Sequence, residues 1–168
     1  FSPHLGTIRI AWIFEPCVQV GGDIFNFYYP NEKQISFYML DACGHGVSAA
    51  LIAAAASQFL HNPFETDISR PDVVLNRLDR VFPFERFESF FTISYVNIDY
   101  TKGRLTYSNA GHPPPILLHA NGGLEILDYR GPIIGLGNGK PFGQDEKRLE
   151  PGDKIILYTD GILDHINW

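Results

Sequence analysis

Phe37-Tyr38-Met39-Leu40-Asp41-Ala42-Cys43-Gly44-His45-Gly46-Val47-Ser48-Ala49-Ala50 passes from one kind of structure to another within fourteen residues. The apolar run Phe37 to Leu40 reads as a strand, and the glycines around His45 read as a turn. The Ala-rich stretch from Val47 to Leu60 reads as a helix, with Pro63 beyond its end. Asp41 thus sits at the mouth of a buried strand, a costly place for a charge unless something neutralises it.

Outward from this segment, strand-like runs recur at Thr7 to Ile13, Ile35 to Leu40, Phe90 to Ile98, Leu105 to Ser108, Ile116 to His119, Leu124 to Leu127 and Lys154 to Tyr158. Lys102-Gly103 and Asn121-Gly122-Gly123 read as turns of antiparallel hairpins. A second helix is expected from Pro71 to about Phe82, with Val74, Leu75, Leu78, Val81 and Phe82 on its inward face. Strands and helices are grouped rather than alternating, which predicts an α+β fold with helices packed outside sheets.

The chain has 168 residues and fits one domain, residues 1–168. Lys and Arg total 13 against 19 Asp and Glu, a net charge of -6. That excess of acid argues against nucleic acid or an anionic membrane as the main partner. The longest apolar run, Ala49 to Ala56, is far short of the ~20 residues of a membrane span, and no signal peptide is visible at Phe1. Cys17 and Cys43 make neither a disulfide framework nor a zinc pattern, so two buried or half-buried free thiols in a reducing, cytoplasmic setting are expected.

Three aspartates stand beside glycine turns: Asp23 after Val20-Gly21-Gly22, Asp41 before Ala42-Cys43-Gly44, and Asp160 after Ile155-Ile156-Leu157-Tyr158 and before Gly161. Taken singly, each can be a turn former that bonds its own backbone. Taken together at strand mouths, they suggest carboxylates converging on divalent cations, with glycine letting backbone come close. His4, His45, His61, His112, His119 and His165 show no zinc-like spacing, and an all-oxygen site favours Mg²⁺ or Mn²⁺. His45 and His112 are open to two readings, acid for a leaving group or holder of loop backbone. The N-terminus of the Ala-rich helix could favour phosphate, or the helix could simply be buried. The aromatic cluster Phe82, Phe84, Phe87, Phe90, Phe91 is expected in the core rather than at an interface.

Six motifs in order carry a resemblance: Val20-Gly21-Gly22-Asp23; Asp41-Ala42-Cys43-Gly44-His45-Gly46-Val47-Ser48-Ala49-Ala50; Ser108-Asn109-Ala110-Gly111-His112-Pro113-Pro114-Pro115; Gly131-Pro132-Ile133-Ile134-Gly135-Leu136; Leu149-Glu150-Pro151-Gly152-Asp153; and Tyr158-Thr159-Asp160-Gly161. The chain resembles the SpoIIE/RsbU-type branch of the metal-dependent (PPM, protein phosphatase 2C-like) serine/threonine phosphatases of bacteria. The resemblance implies an α-β-β-α sandwich of two mostly antiparallel sheets with helices on both outer faces. It also implies two Mn²⁺ or Mg²⁺ ions, with Asp41 bridging, Asp23 holding one ion partly through water, the Ala42 carbonyl a further ligand, and Asp160 holding the other. An activated water would attack phosphorus in line, with no covalent enzyme intermediate. The implied substrate is a phosphoserine or phosphothreonine on an anti-anti-sigma-like (STAS) protein, under control of an N-terminal sensor or receiver domain.

The family pattern continues past its Thr-Asp-Gly turn with a further Asp motif and a final strand. The chain is therefore expected to be truncated at the C-terminal end, to be weakly active or inactive, to bind its second metal poorly, and to dimerise or aggregate through an open sheet edge. Asn26 stands where the family usually has Asp, which would weaken support near Asp23. Cys43 replaces a usual Ser and is expected to behave as a small buried hydrophobe. Two other readings compete with an enzyme. One is a catalytically silent module of the same fold that binds a phosphoprotein or regulatory partner. The other is a β-rich interaction domain whose acids only cap turns.

Overall fold

The computed structural model describes residues 8–15, 21–61, 67–137 and 139–164. Two antiparallel sheets lie face to face. The larger contains β1 (Asp23–Asn31), β2 (Gln34–Ala42), β3 (Phe91–Asp99), β4 (Arg104–Ala110) and, in that spatial order, β7 (Asp145–Arg148). The smaller is built from β6 (Leu124–Ile126), β5 (Ile116–Leu118) and β8 (Lys154–Ile156), with β5 in the centre. The expected α+β sandwich is present, and both expected hairpins form: β3 with β4 around Lys102-Gly103, and β5 with β6 around Asn121-Gly122-Gly123.

The period-2 alternation of the larger sheet builds two cores. Tyr38, Leu40, Ala42, Phe91, Ile93 and Tyr95 face α1 (Val47–His61) and α2 (Pro71–Val81). Ile35, Val96, Ile98 and Leu105 face the other way, meeting Leu117 and Leu127 from the smaller sheet and its connections. On α1 the alanines at 49, 53 and 56 are buried, so the helix lies close on the sheet. On α2 the stripe Val74, Leu75, Leu78 is buried, each side chain contributing about 1.5–3 kcal/mol by leaving water. Phe82 and Phe91 stack edge to face in this core, with Phe87 beside them. Phe84, in α3 (Phe84–Phe87), is exposed, so the aromatic cluster is mostly core.

Several expectations are corrected. Residues 8–13 of the expected first strand pair with no other strand. Ile8 and Ile10 still pack on the inter-sheet core, and Trp12 and Phe14 lie against Phe25. The edge strands β1 and β7 were not foreseen. β1 ends in Tyr29-Pro30-Asn31, which reads as a turn, and β7 is Asp145-Glu146-Lys147-Arg148, without an apolar residue. Both compositions suit sheet edges, where charge and proline discourage further pairing. The expected strand over Lys154 to Tyr158 stops at Ile156. Among the described residues, helices cover only the larger sheet. The short α4 (Gly161–Asp164) follows directly after Asp160.

Candidate active site

The register of the larger sheet gathers the candidate residues. Asp23 lies opposite Asp41 across the β1–β2 pair, and Asp41 lies opposite Thr92 across the β2–β3 pair. By alternation all three project from the face that looks toward the smaller sheet, the face that also carries Phe27, Phe37 and Val96. Asp23 opens its strand rather than closing one, and Asp41 lies inside β2 rather than past its end.

The chain leaving β8 reaches the same end of the sandwich. Thr159 Oγ1 donates to Asp23 Oδ2 at 3.4 Å, and Asp160, exposed, begins the turn into α4. Its negative charge acts on both Asp23 and Asp41. Burial first, and then the charges of Asp23 and Asp160, push the Asp41 carboxyl up to about 6. Asp23 is raised as well, chiefly by burial, with the Thr159 hydrogen bond working in the opposite direction. Among the described residues no basic side chain makes an ion pair with either acid.

Gly22 explains how β1 comes so close at this point. It is buried, and a Cβ there would stand 2.6 Å from the Ala42 carbonyl oxygen. The Ala42 amide donates to the Gly22 carbonyl at 3.2 Å, so the predicted carbonyl donor sits within the same knot of backbone.

On the far side of Thr92 stands His112. Its Nδ1 is 2.8 Å from Thr92 Oγ1, and the ring is buried. Asn109 fixes the loop reciprocally: its Oδ1 accepts from the His112 amide and its Nδ2 donates to the His112 carbonyl, both at 2.9 Å. Between them Gly111 has φ +67, and a Cβ there would meet Ile133 Cγ1 at 2.5 Å. The stretch after Asn109 is thus a rigid loop beside the acids.

Other candidates fall elsewhere. Asn26 lies on the opposite face of β1 from Asp23 and approaches His61 Nε2 at 3.2 Å, so it gives Asp23 no support. Cys43 is exposed rather than buried, and Cys17 lies outside the described residues. His45 is exposed on the Gly44–Gly46 bend. Asp153, from the fifth motif, accepts the amides of Ala120 and Glu150 and holds a turn. Thr92 carried no signal of its own, but counting the β3–β4 register out from Lys102-Gly103 places it opposite Gly111, next to His112.

A divalent pair suits this donor set. Two half-buried carboxylates lie side by side, among the described residues neither is paired with a basic side chain, and a third acid charge acts on both. Among the described residues, however, no three acidic, His or Cys side chains converge tightly enough to enclose an ion. Asp23 and Asp41 are brought together by register, and the charge of Asp160 acts on both.

The sandwich is that of PP2C-type phosphatase domains. It superposes with a TM-score of 0.75 on the PP2C phosphatase domain and regulatory fragment of SpoIIE from Bacillus subtilis, at 17% identity over 89% of this chain and 43% of that one. The RsbU and RsbW domains of a Mycobacterium tuberculosis protein give a TM-score of 0.73 at 27% identity, over 89% of this chain and 42% of that one. The family model of stage II sporulation protein E (SpoIIE) matches residues 31–167, and the chain belongs to that family. It is 30% identical to the phosphoserine phosphatase RsbU of B. subtilis over 164 residues, 96% of this chain and 48% of the relative. It is 29% identical to the phosphoserine phosphatase RsbP of the same organism over 165 residues, 94% of this chain and 40% of the relative. The chain spans less than half the length of these two curated relatives.

Proposed function

We propose that the protein is a metal-dependent serine/threonine protein phosphatase that hydrolyses a phosphoserine or phosphothreonine on an anti-anti-sigma-like STAS protein. The observation that carries this reading is the register pairing of Asp23 with Asp41 at the sandwich end that Asp160 also reaches. The similarity to two phosphoserine phosphatases supports the reaction class.

Asp23, Asp41, Asp160 and the Ala42 carbonyl would hold two Mn²⁺ or Mg²⁺ ions. When bound, such ions supply a water of lowered pKa and offset charge on the phosphoryl oxygens. The rest falls to the chain. Gly22 keeps β1 close to β2 where Asp23 meets Asp41, and Thr159 orients Asp23 by its hydrogen bond. In the reaction the water oxygen forms a bond to phosphorus and the bond from phosphorus to the seryl oxygen breaks. That oxygen ends protonated, and inorganic phosphate leaves. A cytoplasmic setting and control by an N-terminal sensor or receiver domain are part of the same reading, as for regulators of a sigma factor. Among the described residues no helix is long and apolar enough to cross a membrane.

The test is a phosphatase assay on a phosphorylated STAS protein and on a peptide carrying the same phosphosite, with and without exhaustive chelation. Turnover that needs Mn²⁺ or Mg²⁺ and is faster on the protein supports the reading, because remote binding energy is spent at the reacting centre. Turnover that survives chelation overturns it. A catalytically silent module is the second reading, favoured by the finding that among the described residues no three acidic, His or Cys side chains converge closely enough to hold an ion. Tight binding of the phosphoprotein with no turnover at saturating Mn²⁺ would establish it.

A further inference from the structure

We propose that His112 is a positioning residue that ties the end of the larger sheet to the loop carrying Asp160, and so sets the third acid against Asp23 and Asp41. This rests on the metal-phosphatase reading.

His112 Nε2 is buried and makes no well-formed hydrogen bond, and the Tyr158 backbone is the acceptor within its reach. Leaving a buried donor unpaired costs roughly 1–3 kcal/mol, so drawing that contact tight stabilises the loop. The ring itself is well held, by Thr92 at Nδ1 and by Asn109 at both backbone atoms. What faces its free edge is the Tyr158 backbone and the charge of Asp160. Both are acceptors, which favours the tautomer with the proton on Nε2 and Thr92 donating to Nδ1. An Nε2–H that closes on the Tyr158 carbonyl fixes the chain two residues before Asp160.

Burial, first among the causes, lowers the pKa of the imidazole and so favours the neutral ring with one N–H. A neutral donor of fixed tautomer is what holding a carbonyl requires. Second-sphere partners of this kind typically change metal affinity or activity by about 10–100-fold when removed.

The test uses His112→Phe, which keeps the ring shape and loses the donor, and His112→Gln, which restores an N–H. Each is made alone and with Asp160→Asn, and Mn²⁺ affinity is read by calorimetry beside kcat, KM and melting temperature. His112→Phe should weaken Mn²⁺ binding and lower kcat about tenfold each, with KM for the phosphoprotein within about twofold. His112→Gln should recover most of both losses. In the Asp160→Asn background, His112→Phe should change Mn²⁺ affinity no further. Unchanged Mn²⁺ affinity in His112→Phe overturns the proposal, as does a full additive loss in the Asp160→Asn background. Should His112→Phe fail to fold, Thr92→Val removes the Nδ1 partner instead, and it must then weaken Mn²⁺ binding or the proposal fails. Wild-type protein that binds no Mn²⁺ overturns the metal-phosphatase reading and this inference with it. Wild-type binding with indifferent His112 and Thr92 variants overturns only the latter.

Discussion

Asp23 and Asp41 are cross-strand partners, two carboxylates directly opposite one another on adjacent antiparallel strands. Like charges so placed destabilise a sheet, by about 0.2–1 kcal/mol at such pairs. Among the described residues no basic side chain pairs with either acid, and under the proposed metal-dependent reading a bound cation would offset this cost.

Asp41→Asn should therefore do two opposite things. The metal-free protein should gain up to about 1 kcal/mol of stability, because the repulsion from Asp23 and Asp160 is relieved. Turnover should fall by about a hundredfold, because under the proposed reading Asp41 is a metal ligand. Asp160→Asn should lose turnover similarly, and Asp23→Asn less. Chemical denaturation without metal, beside a phosphatase assay with it, reads both effects. Wild-type turnover in Asp41→Asn would remove Asp41 from the site.

Gly22→Ala should cost more activity than its position outside any ligand role would suggest. The added Cβ would stand 2.6 Å from the Ala42 carbonyl oxygen, so β1 must shift away from β2 at the point where Asp23 meets Asp41. Stability should drop by about 1–3 kcal/mol, as for other overpacked sites. Gly21→Ala meets nothing within 4 Å and serves as the control. Equal behaviour of the two variants in a melting and activity series would contradict the close approach.

Asp99 should govern part of the acid stability. Burial alone would raise its carboxyl, but hydrogen bonds from Thr101 and Lys102, with the Lys102 charge, outweigh it and hold the group below its usual range. A depressed native value stabilises the fold above the unfolded value near 4, and that stability is lost as pH falls through the native value. Asp99→Asn should cost about 2 kcal/mol at pH 7. The gap between variant and wild type should close as pH drops below about 4. Urea titrations at neutral and acid pH measure it, and a gap independent of pH would assign the turn's stability to something other than the charge.

The elements with a strong period were legible. The α2 stripe, the β3–β4 hairpin and the helix after Gly46 all fall where their apolar spacing and turn residues put them. β7 was invisible because a strand of Asp, Glu, Lys and Arg buries nothing, and only its bonds to β4 make it a strand. The acids were legible as residues at strand mouths, but their mutual placement was not. Only register reveals that Asp23 faces Asp41, and that Thr92 extends the row to His112. The fate of Asn26 shows the same limit. Whether it supports Asp23 depends on strand parity, and no motif encodes that β1 is a strand at all.

The hydrogen bond from Thr159 to Asp23 joins residues 136 positions apart in the chain. At roughly 5–20 residues per second, a ribosome needs on the order of ten seconds to travel between them. During that interval Asp23 and Asp41 can already form their hairpin, because they belong to neighbouring strands, but the loop that closes over them does not yet exist. Synthesis thus imposes an order of assembly, with the paired acids made first and the loop that completes their surroundings added last.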